Sequence, residues 1–197
     1  MSTNLYVITN STLTGNETQE DWENIVKQLK KLNIDTTSFV NANNEIIKEY
    51  GNWCHRVDDD EDDPLNVSFE GPFHLMPTLY SNIGVIDTIY KYRLLYEFKD
   101  CYWFASFREN LFNIVKIIGG TEVIYLADNG CNKLSEYLEL MAWENSPYEL
   151  IKQKMIKHLG NPITDYTKLE FDKLDYRNIN EFFLDDFNDL KSNQISH

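Results

Sequence analysis

Apolar residues recur along this chain with two different periods, and the alternation between them sets out the elements. Leu5-Tyr6-Val7-Ile8 is a short β-rich run closed by an Asn/Ser/Thr/Gly cluster at 10–16, which predicts a strand followed by a loop. Trp22, Ile25, Val26, Leu29 and Leu32 then return at helical spacing. Thr18 stands where a cap belongs, and Glu20 and Asp21 fill the first turn. A second strand is expected over 36–40 and a short helix over 45–50, ending at Gly51. From 51 to 64 the pattern dissolves, and a solvated loop is expected, because like charges packed this densely repel one another. Asn66-Val-Ser-Phe-Glu70 reads as a strand turned by Gly71-Pro72.

Residues 83–98 admit two readings. As a strand, Ile86, Thr88, Tyr90, Tyr92, Leu94, Tyr96 and Phe98 share one face, with Asp87, Lys91, Arg93 and Glu97 mostly on the other. The run is long for a strand, typically about five to six residues, so a helix packed on the next one is the alternative. Beyond it, Phe104, Phe107, Leu111, Ile114, Val115 and Ile118 make a helical seam, with Asp100 as cap and Gly119-Gly120 as stop. Glu122-Val-Ile-Tyr-Leu126 follows as a buried strand, and Asp128-Asn129-Gly130 as a turn. Leu134, Tyr137, Leu138 and Met141 lie on a further helix. Ser146-Pro147-Tyr148-Glu149 reads as a capping box, with Ser146 at N-cap, Pro147 at N1 and Glu149 at N3, opening a helix that stops at Gly160. Phe171, Leu174, Tyr176, Phe182, Phe183, Leu184 and Phe187 imply that the polar last third docks on the core. Residues 190–197 read as a tail. The fold class expected is α+β, a single compact domain over 1–197, with short strands, several amphipathic helices and a helix-rich C-terminal half.

Composition adds a strong charge. Eighteen Lys and Arg against 32 Asp and Glu give a net charge of −14, and six of the acids are consecutive: Asp58, Asp59, Asp60, Glu61, Asp62 and Asp63. A field of this sign repels phosphate backbones and anionic lipid, which argues against nucleic acid and membranes as ligands, and it attracts basic proteins or cations. Met1 to Asn10 lacks the basic start and long apolar run of a secretion signal, and Cys54, Cys101 and Cys131 form no CxxC pair. A cytoplasmic protein with reduced thiols is expected.

The catalytic and metal motifs do not complete. An EF-hand frame from Asp59 places Glu61, Asp63 and Glu70 at ligand positions, but Pro64 stands where the loop needs glycine. Cys54-His55 has no second ligand pair, and His74, His158 and His197 lack the spacing to supply one. Gly119-Gly120 has no phosphate-loop lysine, and Ser106 and Ser146 have no GxSxG context. Asp128 follows a strand, where ligands of α/β sheets sit, yet Asn129-Gly130 explains it equally as turn chemistry. Arg93 and Arg108 lie among aromatic residues and are expected in ion pairs at the edge of the core. No metal and no cofactor is expected.

In acidity, aromatic content, general layout and lack of catalytic signatures the whole chain resembles small bacterial immunity proteins, which neutralise toxins. No motif carries the resemblance, so no residue role transfers. It implies a non-catalytic module that binds a basic protein partner. Asp58, Asp59, Asp60, Glu61, Asp62, Asp63, Asp185 and Asp186 would be the contact residues. The alternatives are an enzyme drawing on Asp128, His74 and Cys54, or a structural or regulatory subunit whose charge serves solubility.

Overall fold

The structure is a computed structural model that describes residues 3–32, 54–58, 66–70, 76–97, 102–128, 134–166, 169–170, 174 and 179–187. Its centre is β1 (Asn4–Asn10), the continuous apolar run of the N-terminus. The run is continuous because the strand is covered on both faces: Leu5 and Val7 enter one core, and Ile8 enters the other. β6 (Glu122–Ala127) lies antiparallel beside it and divides in the same way, Val123, Tyr125 and Ala127 to the first core and Ile124 and Leu126 to the second. On the other side of β1 lies β5 (Ile83–Lys91), also antiparallel. It is followed by β4 (Met76–Tyr80), β3 (Asn66–Glu70) and β2 (Cys54–Asp58), while β7 (Phe183–Asp186) pairs with β6. The seven strands run in the order β2-β3-β4-β5-β1-β6-β7, every neighbour antiparallel, and the class is α+β.

Helices cover both faces. On the first lie α1 (Gln19–Leu29), α2 (Leu94–Glu97) and α3 (Tyr102–Ile117), the last burying Phe107, Leu111, Ile114 and Val115. On the second lie α4 (Leu134–Ala142) and α5 (Tyr148–Leu159), through Tyr137, Leu140, Met141, Tyr148, Ile151 and Met155. Thr18 caps α1 as expected. Its hydroxyl accepts from the Asp21 N–H at 3.3 Å, and the Asp21 carboxylate accepts from the Thr18 N–H at 2.9 Å and its hydroxyl at 2.7 Å. These bonds hold the Asp21 pKa below the usual carboxylate value.

α3 gives way to a turn at Gly119, whose φ of 77° is open to glycine and strained for other residues. The Asn/Ser/Thr cluster after β1 binds this end. The Ser11 hydroxyl donates to the Ile118 carbonyl at 2.6 Å, and the Asn10 side-chain carbonyl accepts from the Thr121 N–H at 2.9 Å.

Three expectations are corrected. Residues 54–58 are not loop. They form β2, held by antiparallel pairing with β3 from Cys54↔Glu70 to Asp58↔Asn66. The 83–98 run resolves as a strand only to Lys91, where Tyr92 and Arg93 turn the chain into α2 and the apolar period changes from two to helical. The N-cap of α5 is Pro147, extended at φ −60° and ψ 144° with no side-chain cap. Ser146 is instead buried, its N–H donating to the Leu140 carbonyl at 2.9 Å to close off α4. The strand expected over 36–40, the helix over 45–50, the Asp100 cap and the tail lie outside the described residues.

The α3–β6 junction yields a prediction. A Cβ at Gly120 would stand 2.4 Å from the Asn10 carbonyl oxygen and 2.6 Å from Val115 Cγ1. At Gly84 it would meet only side-chain ends, Thr9 Cγ2 at 2.8 Å and Ile118 Cδ1 at 3.1 Å. Gly120→Ala is expected to lower the unfolding free energy by about 2–3 kcal/mol and Gly84→Ala by about 1 kcal/mol, measured by urea denaturation. Equal losses would show that the two sites give way alike.

Candidate functional site

Of the acidic residues singled out in the sequence, Asp58 and the pair Asp185–Asp186 lie in strands at opposite ends of the sheet order. Asp58 is the last residue of β2, opposite Asn66, and Asp59, Asp60, Glu61, Asp62 and Asp63 fall in the connection to β3, outside the described residues. Asp185 and Asp186 are consecutive in β7, and consecutive strand residues face opposite ways. Asp186 is exposed and stands opposite Glu122. Asp185 is only 4% exposed and is withdrawn from any contact surface. His74 and the side chain of Cys54 lie outside the described residues, and Asp128 sits in a turn with its N–H on the Asn4 carbonyl at 3.1 Å.

Asp185 is the centre of the most elaborate polar cluster described. Arg108, on α3, reaches it with two parallel bonds, Nε to Oδ2 and Nη2 to Oδ1, each 2.7 Å. The Tyr125 hydroxyl, from β6, donates to Oδ2 at 2.8 Å. The guanidinium also lies 5.2 Å above the Tyr166 ring, which stacks on Phe183 at 5.3 Å with planes 11° apart. Tyr92 and Tyr96 flank the same Phe183 at 5.9 Å each, and the Tyr96 hydroxyl donates to Glu181. The pairing of Arg108 at the edge of the core matches its expected role. Its partner, 77 residues away, has a local signature only in hindsight: Asp185 occupies the inward position two residues after Phe183.

The other face of the sheet holds a second pair. Lys152, on α5, binds both oxygens of Glu122 at 2.6 and 2.9 Å, and Glu122 raises the pKa of nearby Tyr148 further than burial alone. Because Glu122 opposes Asp186 and Val123 opposes Asp185, the two ion pairs bracket the same end of the β6–β7 ladder from opposite sides.

What the Asp185 cluster can do follows from its protons. Burial opposes the charge on Arg108, but the hydrogen bonds and charge of Asp185 outweigh it and raise its pKa above the ordinary guanidinium value, so it gives up no proton. Burial first, and then the negative charge of Asp185, push Tyr125 and Tyr166 well above the usual phenol range, so both remain donors at neutral pH. Asp185 accepts three hydrogen bonds from the protein itself and is only 4% exposed, so it faces its own partners and not an open site. The arrangement is a clamp between helix and sheet. Among the described residues no group of three or more His, Cys, Asp or Glu could hold a metal ion, and no helix is long and apolar enough to cross a membrane. Comparison with protein-family models, curated proteins and solved structures finds no match to this chain.

The phenols generate a pH prediction. Tyr125, Tyr148 and Tyr166 have folded pKa values raised above the unfolded value near 10, so the folded state favours their protonated form. Their stabilisation is fully present below pH about 10 and is lost as the pH climbs from there toward the folded pKa values. Tyrosinate absorbance and near-ultraviolet dichroism followed together should show these phenols ionising in step with loss of tertiary structure. Smooth ionisation of every tyrosine at about pH 10, with the fold intact, would contradict the assignment.

Proposed function

We propose that this chain is a non-catalytic, cytoplasmic binding module that takes a basic protein partner on an acidic surface, as the bacterial immunity proteins it resembles neutralise toxins. The feature that supports this reading is the acidic run. It begins at the last residue of β2 and continues through the connection to β3, and the Asp58↔Asn66 pairing anchors both ends of that connection at one end of the hairpin. Six consecutive negative charges reinforce one another toward an approaching cation.

The interior supports the same division of labour. Arg108–Asp185 and Lys152–Glu122 are each neutral in sum, so they leave the net charge of −14 to the rest of the molecule. Charge of this size accelerates encounter with a basic face and fixes orientation, while apolar anchors supply the lasting affinity. A partner whose cationic cleft ordinarily holds nucleic acid suits such a surface, since an acidic protein occludes that cleft by the same electrostatics.

Affinity capture from the native host at low and at high salt tests this, with the chain carrying Asn or Gln in place of residues 58–63 alongside the unaltered chain. A protein of basic composition should bind the unaltered chain at low salt and leave at high salt. With the purified partner, neutralising the run should slow association about tenfold or more at low salt. Unchanged association by the neutralised chain would overturn the proposal.

A further inference from the structure

Three large apolar side chains are exposed among the described residues, Met76, Trp143 and Leu150, and two of them fall within one corner. Trp143 directly follows α4, and Leu150 is in the first turn of α5, so both lie at the end of the second helical layer where the chain reverses. Trp143 is 61% exposed and Leu150 43%. Trp22, by contrast, is 3% exposed, so the chain has room in its core for an indole and leaves this one out.

The corner is built, not loose. The Trp143 N–H donates to the Glu139 carbonyl at 2.9 Å, the Glu144 N–H to the same oxygen at 3.1 Å, and the Ser146 N–H to the Leu140 carbonyl at 2.9 Å. Asn145 takes the left-handed conformation at φ 51°, which Asn tolerates better than most residues, and Ser146 and Tyr148 are buried on either side of the exposed Pro147. The backbone that carries the indole is therefore held in place, and no loop has to be ordered when it docks.

Charge decides what docks. Residues 134–151 contain Glu136, Glu139, Glu144 and Glu149 and neither Lys nor Arg, and Glu139, Glu144 and Glu149 are exposed. A second copy meeting this corner across a two-fold axis would oppose glutamate to glutamate, and an anionic membrane would be repelled. A cationic protein surface gains on both counts, by pairing with the carboxylates and by placing guanidinium groups against the indole. We infer that the α4–α5 corner is a docking surface for a basic protein, on which Trp143 and Leu150 enter an apolar recess rimmed by Lys and Arg that Glu139, Glu144 and Glu149 engage. This rests on the reading of the chain as a binder of a basic protein and adds a contact surface remote in sequence from the acidic run.

The test uses the full chain and a synthetic helical peptide with a leucine face and an arginine face, followed through the indole N–H resonance of Trp143, assigned with Trp143→Phe. The leucine–arginine peptide should shift that resonance and the amides of α4 and α5 to saturation. Trp143→Ala should weaken binding about tenfold or more without lowering the melting temperature. An equal response to an arginine peptide without leucine, or to a leucine–glutamate peptide, would overturn the inference. So would sedimentation as a dimer that Trp143→Ala dissolves, or Trp143-dependent binding to phosphatidylcholine vesicles. The chain neutralised at residues 58–63 separates the two proposals. Peptide binding lost in Trp143→Ala and kept in that chain supports the corner; peptide binding lost only in that chain, or unchanged in both, overturns the corner, while the acidic run stands or falls on association with the captured partner.

Discussion

Two N–H groups of the Arg108 guanidinium lie against the two oxygens of the Asp185 carboxylate, and the placement of β7 depends on that contact. β7 is four residues long, and it pairs with β6 through only Glu122↔Asp186 to Tyr125↔Phe183. A ladder this short does little to hold a strand. The side chains do more: Asp185 ties β7 to α3 through Arg108 and to β6 through Tyr125, and Phe183 is gripped by the rings of Tyr92, Tyr96 and Tyr166. Burying a carboxylate is costly, and the cost is offset only where geometry is close to ideal and the remaining lone pairs are satisfied. Here three donors stand at 2.7 to 2.8 Å, and the guanidinium has an aromatic face beneath it. Removing one partner of such a pair leaves the other charged and buried, a loss of about 3–5 kcal/mol.

The same end of the sheet is held from the other face by Lys152 and Glu122, so both helical layers are pinned to the β6–β7 ladder by an ion pair each. The segment after α5 completes the enclosure. The Ile163 N–H donates to the Phe182 carbonyl at 2.9 Å and its carbonyl accepts from the Leu184 N–H at 3.0 Å, which covers the outer side of β7. At the opposite end of the order lie β2 and β3. Val67 and Phe69 fill the core there, and Phe69 meets Trp22 of α1 at 6.0 Å.

Much of this was readable from residue patterns where local chemistry decides the outcome. The helical spacing from Trp22 to Leu29, the Thr18 cap, the seam from Phe107 to Ile118 and the glycine stop at Gly119 are set by neighbours in sequence, and the structure matches them. β2 was not readable, because Cys54-His-Arg-Val-Asp58 has no apolar alternation of its own and becomes a strand through pairing with β3. Ser146-Pro147-Tyr148-Glu149 has the composition of a capping box, but the carbonyl of Leu140, left over at the end of α4, takes the Ser146 N–H and shifts the start of α5 by one residue. Asp185 and Asp186 look like an acidic pair on paper. The pleat turns one into the core and leaves the other outside, a distinction that needs the strand and its register. The exposed Trp143 carries no sequence signal either, since an indole at the end of a helix reads as core until the packing is known.

The placement of β7 rests on Arg108 and Asp185 acting as one structural unit. A double-mutant cycle on Arg108→Met and Asp185→Leu, read by urea unfolding, tests this most directly. Each single replacement should cost about 3–5 kcal/mol, and the double replacement should cost far less than their sum, because two apolar side chains of similar bulk leave no charge stranded. Losses that simply add would contradict the account, since the two residues would then contribute independently and β7 would owe its position to something else.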